Sequence, residues 1–229
     1  MNPTNSMDPA TAARLREILA GRGLTTLPAP PSEPSADPDE PGHPEYHRRR
    51  RAETALARWE KITPRRYRTA EATDPAVIAW ADAVIADPSG TRSLLLTGGT
   101  GTGKTHQAYG ALRRIAAAGP ERYTAVSVNA ADMYGELRAA GGADDTEKRL
   151  RQLSTAPLLH IDDLGAAKGS AWVEEVTYRI VNTRYNDLLP TLITTNFADP
   201  EALGERLASR LSEMCRVVVF GGSDRRRPR

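Results

Sequence analysis

Two kinds of apolar pattern alternate along the chain from residue 75 to residue 220. Short runs rich in Leu, Val and Ile predict buried strands, and longer stretches with apolar residues three and four positions apart predict helices. Because strands alternate with helices, we expect an α/β fold in which a parallel sheet carries helices on both faces. The predicted domain has three layers, α/β/α, and its five-stranded parallel sheet takes its strands from residues 93–97, 124–129, 157–161, 191–195 and 216–220.

The N-terminal segment follows a different pattern. Residues 9–20 predict a short amphipathic helix, with Leu15, Ile18 and Leu19 on one face and glycines after it. Residues 28–44 hold seven prolines among Ser, Asp and Glu, a composition typical of an extended or disordered linker. A helix this small has no core of its own, so it is either a docking peptide for another protein or has no such role.

These patterns divide the chain into three parts. We expect a tethered helix and linker over residues 1–45, one folded domain over 46–220 and a basic tail over 221–229. The folded part begins with two predicted helices, at 46–60 and 75–86. With 229 residues, of which 39% are hydrophobic, the chain is long enough to bury one full core.

Charge and cysteine content narrow the class of protein. The net charge is only +2, but arginines are concentrated at 48–51 and within 225–229. Each block either contacts phosphate or an acidic partner, or is solvated charge. Cys215 is the only cysteine, which excludes a disulfide framework or a cysteine-built zinc site within one chain. No apolar stretch approaches the ~18 residues of a membrane span. The first residues do not read as a secretory signal, so we expect a cytoplasmic protein without a membrane partner.

Residues 98–105 read GGTGTGKT and carry the most specific chemical signal of the chain. The spacing G-x-x-x-x-G-K-T, between a predicted strand and a predicted helix, is that of the phosphate-binding P-loop. Glycines let backbone N–H groups curl around phosphate oxygens, and the helix N-terminus adds partial positive charge. Lys104 would reach the β- and γ-phosphates, and the Thr105 hydroxyl would ligate Mg²⁺. The predicted phosphate-binding residues are Gly98, Gly99, Thr100, Gly101, Thr102, Gly103, Lys104 and Thr105.

The run from Leu158 to Leu164, which contains most of the strand candidate 157–161, predicts a strand that ends in two carboxylates, Asp162 and Asp163. In P-loop proteins an acidic residue at this position holds Mg²⁺, a role that we assign to Asp162. Asp163 would orient or deprotonate the attacking water. Alone, such a pair is more often a turn or a helix cap, but its position about sixty residues after the P-loop favours the catalytic interpretation. His160, inside the strand, is interpreted as a hydrogen-bonded histidine of the core rather than a catalytic one.

Further polar residues lie near the end of the chain. Asn196 follows the predicted strand 191–195, where it could hydrogen-bond the γ-phosphate or the attacking water. Arg206 and Arg210 are four residues apart and share one face of a predicted helix. Such an arginine either enters the site of a neighbouring subunit as an arginine finger or pairs within the chain, with Glu205 or Glu213 as the available acids.

The motifs GGTGTGKT, LLHIDDLG, TLITTN and ERLASRL, in this order and spacing, resemble those of the DnaC-type AAA+ ATPases. These proteins are loaders of replicative helicases, and the IstB-type transposition ATPases are close relatives. The resemblance covers about residues 46–220. It implies an AAA+ P-loop NTPase fold, ATP and Mg²⁺ as cofactors, and subunits that associate on ATP binding. The catalytic residues that it implies are Lys104, Asp162, Asp163, Asn196 as sensor 1 and Arg210 as arginine finger, with Arg206 as the alternative.

The function implied by this resemblance is ATP-dependent loading of a replicative DNA helicase during DNA replication. The second acid is Asp163, where AAA+ motors usually have Glu, and the shorter side chain predicts slow hydrolysis. The helicase would be contacted by the helix at 9–20 or by the basic helix at 46–58. The segment 129–140 falls where the family carries an extra helix that is linked to single-stranded DNA binding. Its Arg138, with Lys148, Arg149 and Arg151 nearby, would contact single-stranded DNA phosphates or form an ordinary solvated face.

Three alternatives stay open at this point. An IstB-like transposase helper would carry the same motifs and would prefer double-stranded DNA. A nucleotide-controlled adaptor would bind ATP and hardly hydrolyse it. A small-molecule P-loop kinase is the third, because a P-loop by itself does not choose between phosphoryl-transfer classes. The proline-rich tether favours the loader over the transposase helper, and Asn196 with the Ser-Arg-Leu helix disfavours the kinase.

Overall fold

The structure is a computed structural model of the chain, and it describes residues 9–21, 37–165, 170–197 and 203–222. The chain divides into two compact units, residues 1–47 and 48–229. Helix α1 (Pro9–Gly21) lies in the first unit, and helix α2 (Pro44–Ile62) begins there and continues into the second.

A five-stranded parallel sheet forms the centre of the second unit, in the order β2-β3-β4-β1-β5. This sheet confirms the predicted α/β fold. The observed β4 coincides with its predicted range, while β1, β2 and β5 differ from theirs by one residue at one end. The strands are β1 (Ser93–Gly98), β2 (Ala125–Asn129), β3 (Leu158–Leu164), β4 (Thr191–Thr195) and β5 (Cys215–Phe220).

Helices cover both faces of the sheet, as the three-layer prediction requires. Besides α1 and α2, the helices are α3 (Pro75–Ala86), α4 (Lys104–Ala117), α5 (Ala130–Ala139), α6 (Ala143–Thr155), α7 (Ala171–Asn186) and α8 (Glu205–Met214), with a short 3-10 helix at Arg65–Tyr67. Leu94 and Leu96 of β1 pack in the core formed with α2, α3 and α4, whereas Leu95 packs in the opposite core formed with α5, α6, α7 and α8. Burying each such leucine contributes about 1.5–3 kcal/mol.

The predicted helices agree with the observed ones to within two residues at each end. The predicted linker 28–44 lies partly outside the described residues, at 28–36. Its residues 37–43 form turns instead of an extended segment, and Pro44 already belongs to α2. Within the described ranges, no helix has both the length and the apolar character that crossing a membrane requires.

Strand β3 is irregular at the two carboxylates. Its pairing with β4 shifts register between Ile161 and Leu164, and Asp163 has a φ of 57°. The prediction that this strand ends at residue 161 is therefore wrong. The strand continues because the Asp163 N–H donates to the Thr194 hydroxyl at 2.8 Å, so a side chain of β4 replaces a backbone partner. A bulge of this kind re-aims side chains next to a site.

Arg184 of α7 lies at the amino end of the sheet and is fully buried. Its guanidinium donates to the Thr191 hydroxyl at 2.8 Å and to the carbonyl oxygen of Pro190 at 2.8 Å. It also donates to three carbonyl oxygens just before β3, those of Leu153, Ser154 and Ala156. All five acceptors are neutral, and burial lowers the pKa of Arg184 to about 10.

Candidate functional site

The segment from Gly98 to Gly103 turns sharply between β1 and α4. Gly98 has a φ of 135°, and a Cβ at this position would collide with the carbonyl oxygen of Phe220 in β5. Gly103, with a φ of 101°, is the residue that precedes the first turn of α4. Only glycine adopts these conformations without strain, so the backbone itself requires glycine at these two positions. The N–H groups of the first turn of α4 therefore face the site rather than a capping side chain.

Lys104 lies at the start of α4 and is only 6% exposed. Its Nζ donates to the carbonyl oxygens of Gly98 at 2.9 Å and Gly99 at 2.8 Å, and to Asn196 Oδ1 at 3.0 Å. The structure thus joins the P-loop lysine directly to the predicted sensor residue after β4. Thr102 has a structural contact, because its buried hydroxyl donates to the Gly99 carbonyl at 2.9 Å.

The two predicted metal ligands also meet. The Thr105 hydroxyl donates to Asp162 Oδ1 at 2.9 Å, and the Thr194 hydroxyl donates to the same oxygen at 2.6 Å. Asp163 turns the other way and accepts a hydrogen bond from Asn196 Nδ2 at 2.6 Å. At the bulge in β3, two consecutive carboxylates therefore have different partners. Asp162 contacts the Thr105 hydroxyl of α4, and Asp163 contacts Asn196 after β4.

These side chains surround one cavity of about 420 Å³ at the carboxyl ends of β1, β3 and β4. Its lining includes the predicted residues Thr100, Gly101, Gly103, Lys104, Thr105, Asp162, Asp163 and Asn196. Six further lining residues were not predicted as site residues: Arg66, Tyr67, His106, Gln107, Asn129 and Thr194.

Some of the missed residues had a readable signal. Thr194 stands two positions before Asn196, and alternation along a strand places such residues on one side. Arg66 and Tyr67 lie before α3, within the region 46–220 that resembles the family, but none of the motifs that carry the resemblance contains them. Gln107 had no such signal, because its role depends on contacts with residues far away in the sequence. Its side chain accepts hydrogen bonds from the N–H groups of Thr73 and Asp74 and so joins the segment before α3 to α4.

His160 lies directly below the carboxylates and is completely buried. Its Nδ1 is 2.9 Å from Ser127 Oγ, which is 3.2 Å from the Tyr109 hydroxyl, and the Tyr109 ring packs edge-on against the imidazole. Burial lowers the pKa of His160 to about 4, against the opposing charge of Asp162. The imidazole is therefore neutral at physiological pH, as expected for a core histidine.

The predicted arginine finger lies outside the cavity lining. Arg210 stacks on the Tyr185 ring at 4.6 Å, donates to Asn182 Oδ1 at 3.2 Å and lies 3.6 Å from Glu213. Arg206, on the same helix, is exposed. Within the single chain, Arg210 therefore pairs with Glu213, one of the two acids that the sequence offered for an intramolecular ion pair. Its role as an arginine finger in a neighbouring subunit stays a prediction.

The basic residues after β2 have mixed surroundings. Arg138 lies over the Trp172 ring at 4.6 Å, and Arg149 pairs with Glu136 at 2.9 Å. Lys148 and Arg151 are exposed on α6. Contacts of these residues with DNA stay a prediction.

Residues 55–227 match the family described as IstB-like ATP binding protein. The chain belongs to this family. The replicative helicase loader DnaI of Bacillus subtilis (strain 168) is 27% identical over 153 residues, which are 60% of this chain and 48% of DnaI. The chain thus spans about half the length of this curated relative.

Two solved structures of helicase loaders resemble the fold. A crystal structure of the DnaC helicase loader matches with a TM-score of 0.58 and 25% identity, over 69% of this chain and 100% of that chain. A crystal structure of DnaI matches with a TM-score of 0.58 and 23% identity, over 73% of this chain and 99% of that chain. The IstB-like chain therefore has the AAA+ P-loop fold that its motifs predicted.

The cavity of this IstB-like protein fits the nucleotide that its family name implies. No side chain caps the N-terminus of α4 by a hydrogen bond, and Lys104 Nζ donates to the glycine turn beside it, an arrangement suited to phosphate oxygens. Thr105 and Asp162 offer a hydroxyl and a carboxylate, the hard oxygen ligands that Mg²⁺ prefers. The residues present therefore fit a magnesium nucleotide.

Proposed function

We propose that this protein is an ATP-dependent loader of a replicative DNA helicase with slow ATPase activity. The observation that carries the proposal is the junction of Lys104, Thr105, Asp162, Asp163 and Asn196 around one cavity, in a chain similar to helicase loaders. The proposed organisation is a tethered docking helix over residues 1–45, the ATPase over 46–220 and a basic tail over 221–229. The site of action is the cytoplasm.

The proposed catalytic roles follow from the contacts of each side chain. Lys104 would stabilise negative charge on the β- and γ-phosphates. Thr105 and Asp162 would hold Mg²⁺, which when bound neutralises phosphate charge. Asp163 would orient the attacking water, and Asn196, which contacts both Lys104 and Asp163, would report the state of the γ-phosphate to them.

The base of the nucleotide would occupy the part of the cavity lined by Arg66 and Tyr67. The Tyr67 ring stacks on Tyr109 at 5.1 Å, so it is held rigidly at this edge. Because Gln107 ties the segment before α3 to the P-loop helix, the base and the phosphates would contact one connected structure.

Association of subunits would supply the arginine finger. Arg210 must leave its contacts with Tyr185, Asn182 and Glu213 to reach a neighbouring site, whereas Arg206 is already exposed. We propose Arg210 for this role because the Ser-Arg-Leu motif resembles the family's. Arg206 is the alternative. Loss of the γ-phosphate would then weaken the contact between subunits and release the helicase.

The experiment is ATP-dependent capture of the replicative helicase from the same cell by the purified full chain. Wild-type protein should capture the helicase with ATP, and Lys104→Met should not. Ile18, which is 55% exposed on α1, offers a test of the docking helix. Ile18→Asp should abolish capture if α1 docks, while Ala13→Asp, at another exposed position of α1, should retain it. No capture by wild-type protein would contradict the loader function.

A matched variant separates hydrolysis from binding. Asp163→Asn should bind ATP and capture the helicase but hydrolyse ATP roughly a hundredfold more slowly, the lower range for removal of a general base. Full helicase-loading function without turnover would identify a nucleotide-controlled adaptor.

The second candidate function is a transposase-helper ATPase, and the family match itself favours it. Such a protein would bind double-stranded DNA with ATP and would not capture the helicase. A loader would bind single-stranded DNA through Arg138, Lys148, Arg149 and Arg151, so competition between the two forms of DNA distinguishes the candidates.

A further inference from the structure

Helix α2 and the segment after it carry a large share of the chain's positive charge. Residues 48–68 contain nine arginines and lysines but only two glutamates, a net charge of +7 in a chain whose total is +2. Apart from Arg66 in the nucleotide cavity, the roles proposed above use none of these basic residues. A concentration of one charge sign raises the local potential and attracts anionic partners.

Two arginines of α2 are held by neutral acceptors. Arg51 Nε donates to the carbonyl oxygen of Gly119 at 3.0 Å. In the same way, Arg58 Nη1 donates to the carbonyl oxygen of Tyr123 at 3.1 Å. Both acceptors belong to the connection between α4 and β2, which packs closely on α2, because a Cβ at Gly119 would collide with the carbonyl oxygen of Arg48. The two guanidinium groups therefore have fixed anchor points on the backbone.

These contacts leave the charge of both arginines uncompensated. The two glutamates of this segment pair with other arginines at 3.1 Å, as Arg50–Glu53 and Arg68–Glu60. Within the described ranges, no carboxylate pairs with Arg51 or Arg58, and the nearby Glu121 of the α4–β2 connection is exposed. A guanidinium has five N–H donors, so each arginine keeps four of them for another acceptor.

Lys61 extends the side of α2 on which these two arginines lie. Seven residues make about two turns, so Arg51 and Arg58 share one side of the helix about 10 Å apart, and Lys61 follows nearly one turn later. Arg58 and Lys61 are exposed, and Arg51 is half-buried. This basic row, Arg51, Arg58 and Lys61, is about 15 Å long. Phosphates of one strand of duplex DNA follow one another about every 3.4 Å along the axis, so the basic row spans about four of them.

The surface around the basic row favours DNA over an acidic protein as the partner. Along the described length of α2, no large apolar side chain is exposed. Protein interfaces have an apolar and aromatic centre in which charged residues are depleted. Contacts with the phosphates of DNA, in contrast, are made by arginine and lysine side chains without an apolar centre.

We propose that the basic row of α2 binds the phosphate backbone of DNA. None of its three residues lines the nucleotide cavity. Helix α2 packs in the core formed with α3 and α4, whereas α5, which carries Arg138, packs in the opposite core. The basic row is therefore separate from the DNA contact proposed for Arg138, and its binding of DNA needs neither ATP nor a helicase.

The test is the salt dependence of DNA binding by the purified full chain without nucleotide. Fluorescence anisotropy measures binding of a labelled single strand and of the same strand in a duplex. The double variant Arg51→Gln and Arg58→Gln should make the slope of log affinity against log salt shallower by about 1.8 for the duplex, or by about 1.4 for the single strand, because two phosphate contacts are lost. The form of DNA that shows this change is the one that the basic row binds.

A matched control removes the same charge elsewhere. The double variant Arg113→Gln and Arg114→Gln, on α4, breaks exposed ion pairs with Glu71 and Asp82 and should keep the wild-type slope. Charge is separated from folding by two further variants. Arg51→Lys with Arg58→Lys should keep most of the slope. If the glutamine double variant does not fold, Lys61→Gln decides, since loss of one phosphate contact should change the slope for the duplex by about 0.9.

Several results would overturn the proposal. These are a wild-type protein that binds no DNA, a folded glutamine double variant with the wild-type slope, and an equal change in the α4 control. Loss of helicase capture with unchanged DNA binding in the Arg51 and Arg58 variant would assign the basic row to an acidic protein partner instead. The loader function fails on a different result, the absence of helicase capture by wild-type protein, so the two proposals fail separately.

Discussion

The two ends of the parallel sheet each bury a cation, and the surroundings of the two cations differ. At the amino end, Arg184 is fully buried and donates to five neutral acceptors. At the carboxyl end, Lys104 is 6% exposed, contacts two carbonyl oxygens and Asn196, and lines a cavity of about 420 Å³. Arg184 also borders a cavity, but this one is smaller, about 190 Å³, and the guanidinium is held by all five acceptors.

This difference separates structural from functional burial of charge. The acceptors of Arg184 lie at the end of α6 and in the residues that lead into β3 and β4, so its hydrogen bonds join these segments and stabilise the fold itself. The acceptors of Lys104 lie in the glycine turn and at Asn196, beside a cavity where phosphate oxygens could replace them. A buried cation whose acceptors a ligand can replace is therefore a candidate for binding, and a buried cation whose acceptors all join elements of the fold is a candidate for stability.

The largest expected effect is a loss of stability when Arg184 is replaced at the amino end of the sheet. Arg184→Met should lower the free energy of unfolding by at least about 3 kcal/mol, because several buried carbonyl oxygens lose their donors. The control is Arg179→Met, on the same helix, which removes an exposed ion pair with Glu147 and should cost less than about 1 kcal/mol. Urea unfolding measures both. Equal effects of the two substitutions would remove the distinction between the two ends of the sheet.

At the carboxyl end of the sheet, Lys104→Met should weaken ATP binding and should not lower the free energy of unfolding. Loss of charge-assisted hydrogen bonds to phosphate should weaken ATP binding about 100-fold, since each 1.4 kcal/mol is tenfold. The free energy of unfolding should stay the same or rise, because a buried ammonium is removed. Equilibrium ATP binding and urea unfolding of the same preparation test this, and a large loss of stability would place Lys104 in the same class as Arg184.

Gly98 tests whether packing also constrains the backbone at the carboxyl end of the sheet. Gly98→Ala should lower the free energy of unfolding by about 2 kcal/mol, since its φ of 135° and the nearby Phe220 carbonyl both exclude a Cβ. Gly99→Ala is the matched control, because a Cβ there meets only Thr102 Cγ2 at 3.9 Å. The two variants should differ in thermal unfolding temperature. Equal temperatures would show that the turn tolerates side chains.

The smallest effect concerns the reactivity of the Cys215 thiol, at the amino end of the sheet. Cys215 begins β5, is 3% exposed, and burial raises the pKa of its thiol to about 12. A raised pKa keeps the thiol protonated at pH 8, and the thiolate is the reactive form. Native protein should therefore resist alkylation by iodoacetamide at pH 8, while urea-unfolded protein should react fully, as mass spectrometry can show. Rapid alkylation of the native protein would indicate that this end opens.

The sequence predicted the parts of the site that short motifs encode. The P-loop, Asp162 and Asn196 follow strands whose order along the chain places their carboxyl ends at one edge, so their meeting was expected. The fold class followed from the same alternation of strands and helices.

The rest depends on contacts between residues far apart in sequence. The structural role of Arg184 could not be recognised from the sequence, because its acceptors at residues 153–156 and 190–191 come together only in the folded chain. The bulge at Asp163 depends on the hydroxyl of Thr194, 31 residues away. The pattern of a buried strand gave no sign that it would continue past its own carboxylates.

The most direct test of the account is a crystal structure of the protein with Mg²⁺ and a non-hydrolysable ATP analogue. We expect the γ-phosphate beside Lys104 and Asn196, the metal ion at Thr105 and Asp162, and unchanged contacts of Arg184 at the opposite end. A nucleotide bound elsewhere, or bound here without contact to Lys104, would contradict the assignment of the carboxyl end as the functional site.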